Sequence, residues 1–262
     1  MKIIPLGIAG FIPTESRETI SVLLIIDKIA IIFDCGTGIK RLMLKKIQDE
    51  LSSVDSVYVF LSHFHMDHLV GLPWLLKLVN KPLHFYVPSN PLIESNGIEN
   101  INIITNNPFF GLEIPKWPNF GSINSFSNDV VHIKDKVIKV NKQHHSGGSV
   151  GFRIDNFSFI TDVVLQEKDI KFIEKSDLLL LDTMYDKFDY DNLSLSSNST
   201  TSLDHGYSIG NAIIAKKSNI KQFGLIHLNP LYDSKRISRL LDESKSIFKN
   251  SLIPEETDIY SL

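Results

Sequence analysis

The sequence predicts an α/β protein in which two β-sheets pack face to face with helices outside. Three observations carry that expectation. Each half of the chain runs through apolar strand-like segments first and helix-like segments later, the order of a layered sandwich. Side chains able to bind a metal stand where strand-like runs end, as in Leu61-Ser62-His63. The chain has 262 residues, 43% of them hydrophobic, enough to bury a large core. We expect residues 1–262 to form a single domain.

In chain order, Ile20 to Ile26 and Ile29 to Phe33 flank Asp27-Lys28 and predict a hairpin of buried strands. Asp34 then stands at a strand end. Beyond Gly36-Thr37-Gly38, apolar Ile39, Leu42, Met43 and Ile47 recur at helical spacing, with Lys40, Lys45, Lys46 and Asp49 on the other face. Val57 to Leu61 predicts a strand that runs straight into His63, and Leu72 to Val79 predicts a helix. From about 88 to 129, Asn, Pro, Ser and Gly are dense, so no regular element is assigned and a site-covering insertion is expected. Strands resume at Val130 to Val140, turning at Lys134-Asp135-Lys136, then at Val150 to Ile154 and Phe157 to Ile160 around a tight turn at Asp155-Asn156. Leu178 to Leu181 and Phe223 to Ile226 read as strands. Ile209 to Ala215 reads as a helix with Ile209, Ala212 and Ile213 inward, and Ile237 to Phe248 as a closing amphipathic helix.

Composition excludes several classes. A net charge of −3 with 22% charged residues gives no broad cationic field for nucleic acid and argues against disorder. The single cysteine, Cys35, has no partner for an internal disulfide and reads as a small packed residue. The first residues lack the apolar run of a signal peptide, so a cytoplasmic location is expected. No apolar stretch approaches the roughly 20 residues that span a bilayer.

The chemistry is concentrated between His63 and His68. Three imidazoles and one carboxylate fall within six residues after a buried strand. Extended or looping backbone turns alternate side chains to one side, so His63 and His65 can share an ion. Asp67 and His68 follow too closely to join the same tetrahedral set, but suit a neighbouring ion in a two-metal site. As surface polar residues of an ordinary loop, such a cluster would be unusual.

His63-Phe64-His65-Met66-Asp67-His68 resembles the H-x-H-x-D-H signature of the metallo-β-lactamase superfamily. That resemblance implies a four-layer αβ/βα sandwich with two mixed sheets. Phe33-Asp34-Cys35-Gly36-Thr37-Gly38 is similar to the family's first motif, whose Asp orients a metal-binding histidine. His144-His145-Ser146-Gly147-Gly148 resembles the third, which implies His145 as a ligand; His144, facing the other way in an extended segment, is taken as structural. Thr161-Asp162 resembles the fourth, whose Asp bridges both ions, and His227-Leu228-Asn229-Pro230 the fifth. The implied set is His63, His65 and His145 on one ion, Asp67, His68 and His227 on the other, and Asp162 with a hydroxide between them; Asp67 is counted as catalytic as well as ligating. Nitrogen and oxygen donors suit two Zn²⁺, with Mn²⁺ or Fe as alternatives.

His205, in Leu203-Asp204-His205-Gly206-Tyr207-Ser208, occupies the place of a His-Ser-Thr segment in phosphodiesterase-like and RNase Z-like members, with Gly206 inserted. The resemblance implies phosphate contact or proton donation by His205. Leu6 to Thr19 is similar to the Pro-Thr-x-x-Arg loop of tRNA 3′-processing members. Between Asp162 and His227, however, there is no Gly-Pro-rich, Lys-rich arm, and Asp186 to Asp204 is acidic and rich in Ser and Asn, which opposes a polyanion. The expected function is therefore a metal-dependent hydrolase acting on a small or cyclic phosphodiester. The enzyme alternatives are tRNA 3′ processing and ester, thioester or lactone hydrolysis; the non-enzyme alternative is a metal-stabilised protein that binds a phosphorylated ligand. Nucleic acid and membranes are disfavoured as partners, and a homodimer is allowed.

Overall fold

Short apolar runs bounded by turn residues become strands along the chain: β1 (Lys2–Gly7), β2 (Ser21–Ile26), β3 (Ile29–Phe33), β4 (Ser56–Phe60), β5 (Leu83–Pro88), β6 (Phe120–Phe126), β7 (Val130–Ile133), β8 (Lys136–Gln143), β9 (Ser149–Ile154), β10 (Phe157–Ile160), β11 (Leu178–Asp182), β12 (Gln222–Ile226), β13 (Ser251–Leu252) and β14 (Tyr260–Ser261). Helices α1 (Lys45–Ser52), α2 (Leu75–Leu78), α3 (Gly97–Thr105), α4 (Ile170–Ile173), α5 (Lys187–Leu195), α6 (Ser208–Lys217) and α7 (Ser234–Ile247) lie between them. This computed structural model describes residues 1–195 and 204–262. It divides into a first unit of Met1–Ile8, Ile12–Ser127 and Glu255–Leu262 and a second of Ala9–Phe11 and Asn128–Pro254.

The first unit's sheet runs β14-β1-β2-β3-β4-β5-β6, antiparallel up to β3 and parallel from β3 to β6. The expected hairpin is present, with Ile26 opposite Ile29 and Asp27 at φ +53°. Val57, Val59, Phe85 and Ile32 share a buried cluster with Ile39, Leu42, Ile47 and Leu75. Each such fully buried side chain contributes about 1.5–3 kcal/mol relative to exposure. The helix expected from Ile39 onward is broken at Leu44, which is extended (φ −66°, ψ 133°), into a 3₁₀ turn over Thr37–Met43 and α1. Gly38 packs against β1, where a Cβ would lie 2.7 Å from the Gly7 nitrogen. The segment from 88 to 129, where sequence patterning assigned nothing, holds α3 and β6, and β6 pairs in parallel with β5.

The second unit's sheet runs β13-β12-β11-β10-β9-β8-β7, antiparallel from β7 to β10 and parallel from β10 to β13. Lys134 and Asp155, both at φ +49°, make the two expected turns. Helix α6 is rotated from the expected face, because Ile213 is exposed while Asn211 is buried. The Asn211 amide donates to Asp182 O at 2.6 Å and to Thr183 Oγ1 at 3.0 Å, and these bonds outweigh the apolar pattern.

Two glutamates each fasten both ends of a connecting segment. Glu256 Oε1 accepts the Ile8 N–H at 3.1 Å and the Glu18 N–H at 2.8 Å, and Arg41 pairs with its other oxygen. Glu243 Oε2 accepts the Lys187 N–H at 3.0 Å and the Ser208 hydroxyl. No helix among the described residues is long and apolar enough to cross a membrane.

Candidate metal centre

Parallel strands that start in register finish in register, so residues just past their carboxyl ends gather in a row. In the first unit Asp34 follows β3 and Ser62-His63 follow β4. Asp34 is fully buried at φ +59°, and its N–H still bonds Phe60 O at 2.9 Å, so the chain turns sharply without leaving the ladder. Its Oδ1 accepts the Ser62 N–H at 2.7 Å; its Oδ2 accepts the Ser62 hydroxyl at 2.7 Å and faces His68 Nδ1 at 2.8 Å. Ser62 Oγ lies 3.0 Å from His63 Nδ1. These contacts fix ring orientation and leave Nε2 of His63 and His68 as the atoms that could hold a metal, the arrangement typical of metal-bound imidazole. The His63 ring lies 4.6 Å from that of His65 and 4.2 Å from that of His68, and Asp67 Oδ2 is 3.4 Å from His68 Nε2.

In the second unit Asp162 follows β10, Asp182 ends β11 and His227 follows β12. Asp162 (φ +51°) and His227 (φ +54°) share the left-handed turn of Asp34. Non-glycine residues rarely adopt it, and such strain is characteristic of functional sites. Asp162 Oδ2 is 3.5 Å from His145 Nε2, and Oδ1 is 3.3 Å from His227 Nε2. His145 is buried and His144 exposed. One ligand atom each from Asp162, Asp182, His205 and His227 lies within 4.8 Å of the others.

Sequence patterning missed Asp182 and Ser62. Asp182 is fully buried; its Oδ2 faces His205 Nδ1 at 2.8 Å and accepts the Val163 N–H at 3.2 Å. The signal that could have found it is a carboxylate closing an apolar strand, the same signal that marks Asp34 and Asp162. Burial of His205 opposes its protonation, but the charges of Asp182, Asp162 and Asp204 outweigh that and push it up to about 9. Burial, then the charge of Asp34, pushes the Cys35 thiol well up, so no thiolate competes among the donors.

The donor chemistry of each unit fits a divalent ion: imidazoles, with His63, His68 and His205 held through Nδ1, and carboxylates beside them with no sulfur. The acidic segment from Asp186 to Asp204 has cations beside several of its carboxylates. Residues 196–203 lie outside the described residues. Asp186 is buried, with Arg236 Nε at 3.0 Å from its Oδ2; Asp189 lies 2.6 Å from Arg236, and Asp191 2.8 Å from Lys187. Three of its carboxylates are thus offset by cations.

A family model described as a Beta-lactamase superfamily domain matches residues 30–206, more than half of the chain. The chain belongs to that superfamily and is a metal-dependent hydrolase. It is 25% identical to a ribonuclease Z of Picrophilus torridus, over 97% of this chain and 94% of that relative. Among solved structures, the metallo-β-lactamase fold protein YhfI of Bacillus subtilis has a TM-score of 0.72 at 20% identity, covering 99% of this chain and 98% of that one. The short form of human tRNase Z has a TM-score of 0.71 at 18% identity, covering 100% and 99%. These likenesses carry the fold, the α/β class with two mixed sheets that the sequence predicts.

Proposed function

We propose that the chain is a phosphodiesterase with two divalent ions, most simply Zn²⁺, one held by His63, His65 and His145 and the other by Asp67, His68 and His227, with Asp162 between them. Such ions supply an acidified water at neutral pH and positive charge beside the phosphoryl oxygens. The observation that carries phosphodiester chemistry is the His205–Asp182 pair beside Asp162 and His227. With Nδ1 held by Asp182, the proton that His205 can give sits at Nε2. An alkoxide leaving group needs such a proton, whereas the thiolate of a thioester places less demand on one. Asp34 and Ser62 keep His68 and His63 in their ligating orientation.

The substrate we favour is a small or cyclic phosphodiester, because no lysine-rich arm lies between Asp162 and His227. The second reading is tRNA 3′ processing, supported by the name of the Picrophilus relative and by the cations that offset the Asp186, Asp189 and Asp191 carboxylates. We place the enzyme in the cytoplasm on the strength of its single, buried cysteine. A homodimer would cover exposed Met43, Met66 and Trp74. The test is hydrolysis of bis(p-nitrophenyl) phosphate, a cyclic nucleotide and a 3′-extended tRNA precursor by the zinc-loaded protein and by Asp67→Ala. Turnover of the first two, lost in the variant, supports the reading. Cleavage of the tRNA precursor alone promotes the second, and no turnover of any of the three rejects both.

A further inference from the structure

We infer that Phe11 is a stacking platform for a flat aromatic group, a nucleobase or aryl ring, on the substrate of this site. The inference rests on the phosphodiesterase reading and adds to it the chemistry of the group attached to the phosphate. Ala9–Phe11 belongs to the second unit although the flanking chain does not. Ala9 bridges Leu228 in parallel, and the Gly10 N–H donates to Leu228 O at 3.0 Å. Gly10 lies against the proposed ligand His227 so closely that a Cβ would come within 2.5 Å of imidazole Cε1 and Nδ1 and 2.8 Å of Met184 Cε. The residue after this close approach is Phe11, held at φ +63° and 73% exposed.

That combination is unusual in three respects at once. A large aromatic side chain faces water, its backbone adopts a conformation that L-residues avoid, and it adjoins a residue seated on the metal-ligating ring. Core packing explains none of this, because the side chain is not in the core. A scattered exposed hydrophobic residue is ordinary on any surface, but one in the left-handed region at a site is not. The neck of the same loop is fastened at Ile8 and Glu18 by Glu256, so the ring is presented by backbone tied at both ends. An exposed aromatic face held this way beside a phosphate-binding centre suits stacking on a base, which is tolerant of base identity because every base offers a π-face.

The probes are adenosine 5′-monophosphate and ribose 5-phosphate, which share the phosphate and sugar and differ by the base. Calorimetric titration of the zinc-loaded protein should show adenosine 5′-monophosphate bound about tenfold more tightly, within the range that base–aromatic stacking gives on truncation. Phe11→Ala should abolish the preference by weakening only the nucleotide, and Phe11→Trp should keep it. Phe11→Gly relieves the backbone and guards against misfolding; it should lose the preference as Phe11→Ala does. Equal affinity of the wild type for the two probes, binding of neither, or a preference that survives Phe11→Gly overturns the inference. The phosphodiesterase reading fails separately, by absence of turnover, so the two failures are distinguishable.

Discussion

The two units carry their candidate metal ligands in opposite styles. In the first, His63, His65, Asp67 and His68 come from one loop after β4, and Asp34 and Ser62 brace them from neighbouring strand ends. In the second, His145, Asp162, Asp182, His205 and His227 arrive from five separate places, each at or near the end of a regular element. The first set is local and needs one strand to be placed correctly. The second depends on the register of β10, β11 and β12, since Ile160 opposite Leu181 and Asp182 opposite Ile226 are what align the residues that follow. Both sets use a buried strand-end carboxylate to hold an imidazole by Nδ1. Asp34 holds a proposed ligand, whereas Asp182 holds a proposed proton donor.

The largest effects should come from the metals that join the comparison. Chelation should abolish phosphodiester hydrolysis and Zn²⁺ should restore it, with about two ions per chain by elemental analysis, as expected of a two-metal hydrolase. Protein that takes up no metal on reconstitution would leave both sets without their proposed purpose. Asp162→Ala should reduce the content of both ions and His227→Ala chiefly of one; equal, small losses would contradict the bridging role.

Next in size is the proton donor. His205→Ala should lower kcat by about 10²–10⁴ for an alkyl leaving group and much less for p-nitrophenolate, at unchanged metal content. Equal losses on both substrates would point to phosphate positioning instead. The sign of its pH dependence follows from the pair: the folded-state value is raised above 6.5 to about 9, so the protonated form is present below that and lost as pH rises through it. Cations beside Asp162 offset part of that push, so the alkaline limb of kcat should fall at or below about pH 9. Asp182→Asn should move the limb to lower pH.

The two bracing carboxylates give the sharpest contrast. Asp34→Asn should weaken metal affinity about 10–100-fold, the usual range for a residue that orients a ligand, while Asp182→Asn should change the pH profile more than the metal content. If both variants lose metal alike, Asp182 braces a ligand and His205 is not the proton donor.

The smallest effect concerns Glu256. Burial pushes its carboxyl up to about 7 from 4.5, against the pull of Arg41 and of the Glu18 and Ile8 N–H groups. Its contribution to stability is therefore fully present below pH 4.5 and lost as pH rises through about 7. Thermal melts of Glu256→Gln should show a weaker decline over that window than the wild type; parallel curves would show that the carboxyl does not titrate there.

Clustering decided what the sequence could reveal. Four donors in six residues are legible without any fold, and Asp34 and Asp162 are legible once a resemblance supplies the motif order. Asp182 belongs to no motif of the resemblance, and only its place at the close of the apolar run Leu178-Leu179-Leu180-Leu181, like that of Asp34 and Asp162, marks it. The segment around β6 was opaque because Phe120 to Ser125 are all partly exposed, with no alternation to betray a strand. Helix α3 did leave a trace: Asn96 caps Ile98 and Glu99, an N-cap followed by an acidic residue three positions on. The face of α6 was misjudged because a buried amide with two partners outweighs an isoleucine.

The paired fastenings by Glu256 and Glu243 have an evolutionary consequence. A segment whose two ends meet on one carboxylate is closed before its interior contributes anything, so its length and composition can drift at little thermodynamic cost; doubling a flexible loop adds only about 0.6 kcal/mol. Residues 12–17 are then an exchangeable cassette. Grafting it from a relative, with Glu256 kept, should change substrate preference without rebuilding the sheets, and without Glu256 should cost the graft its footing.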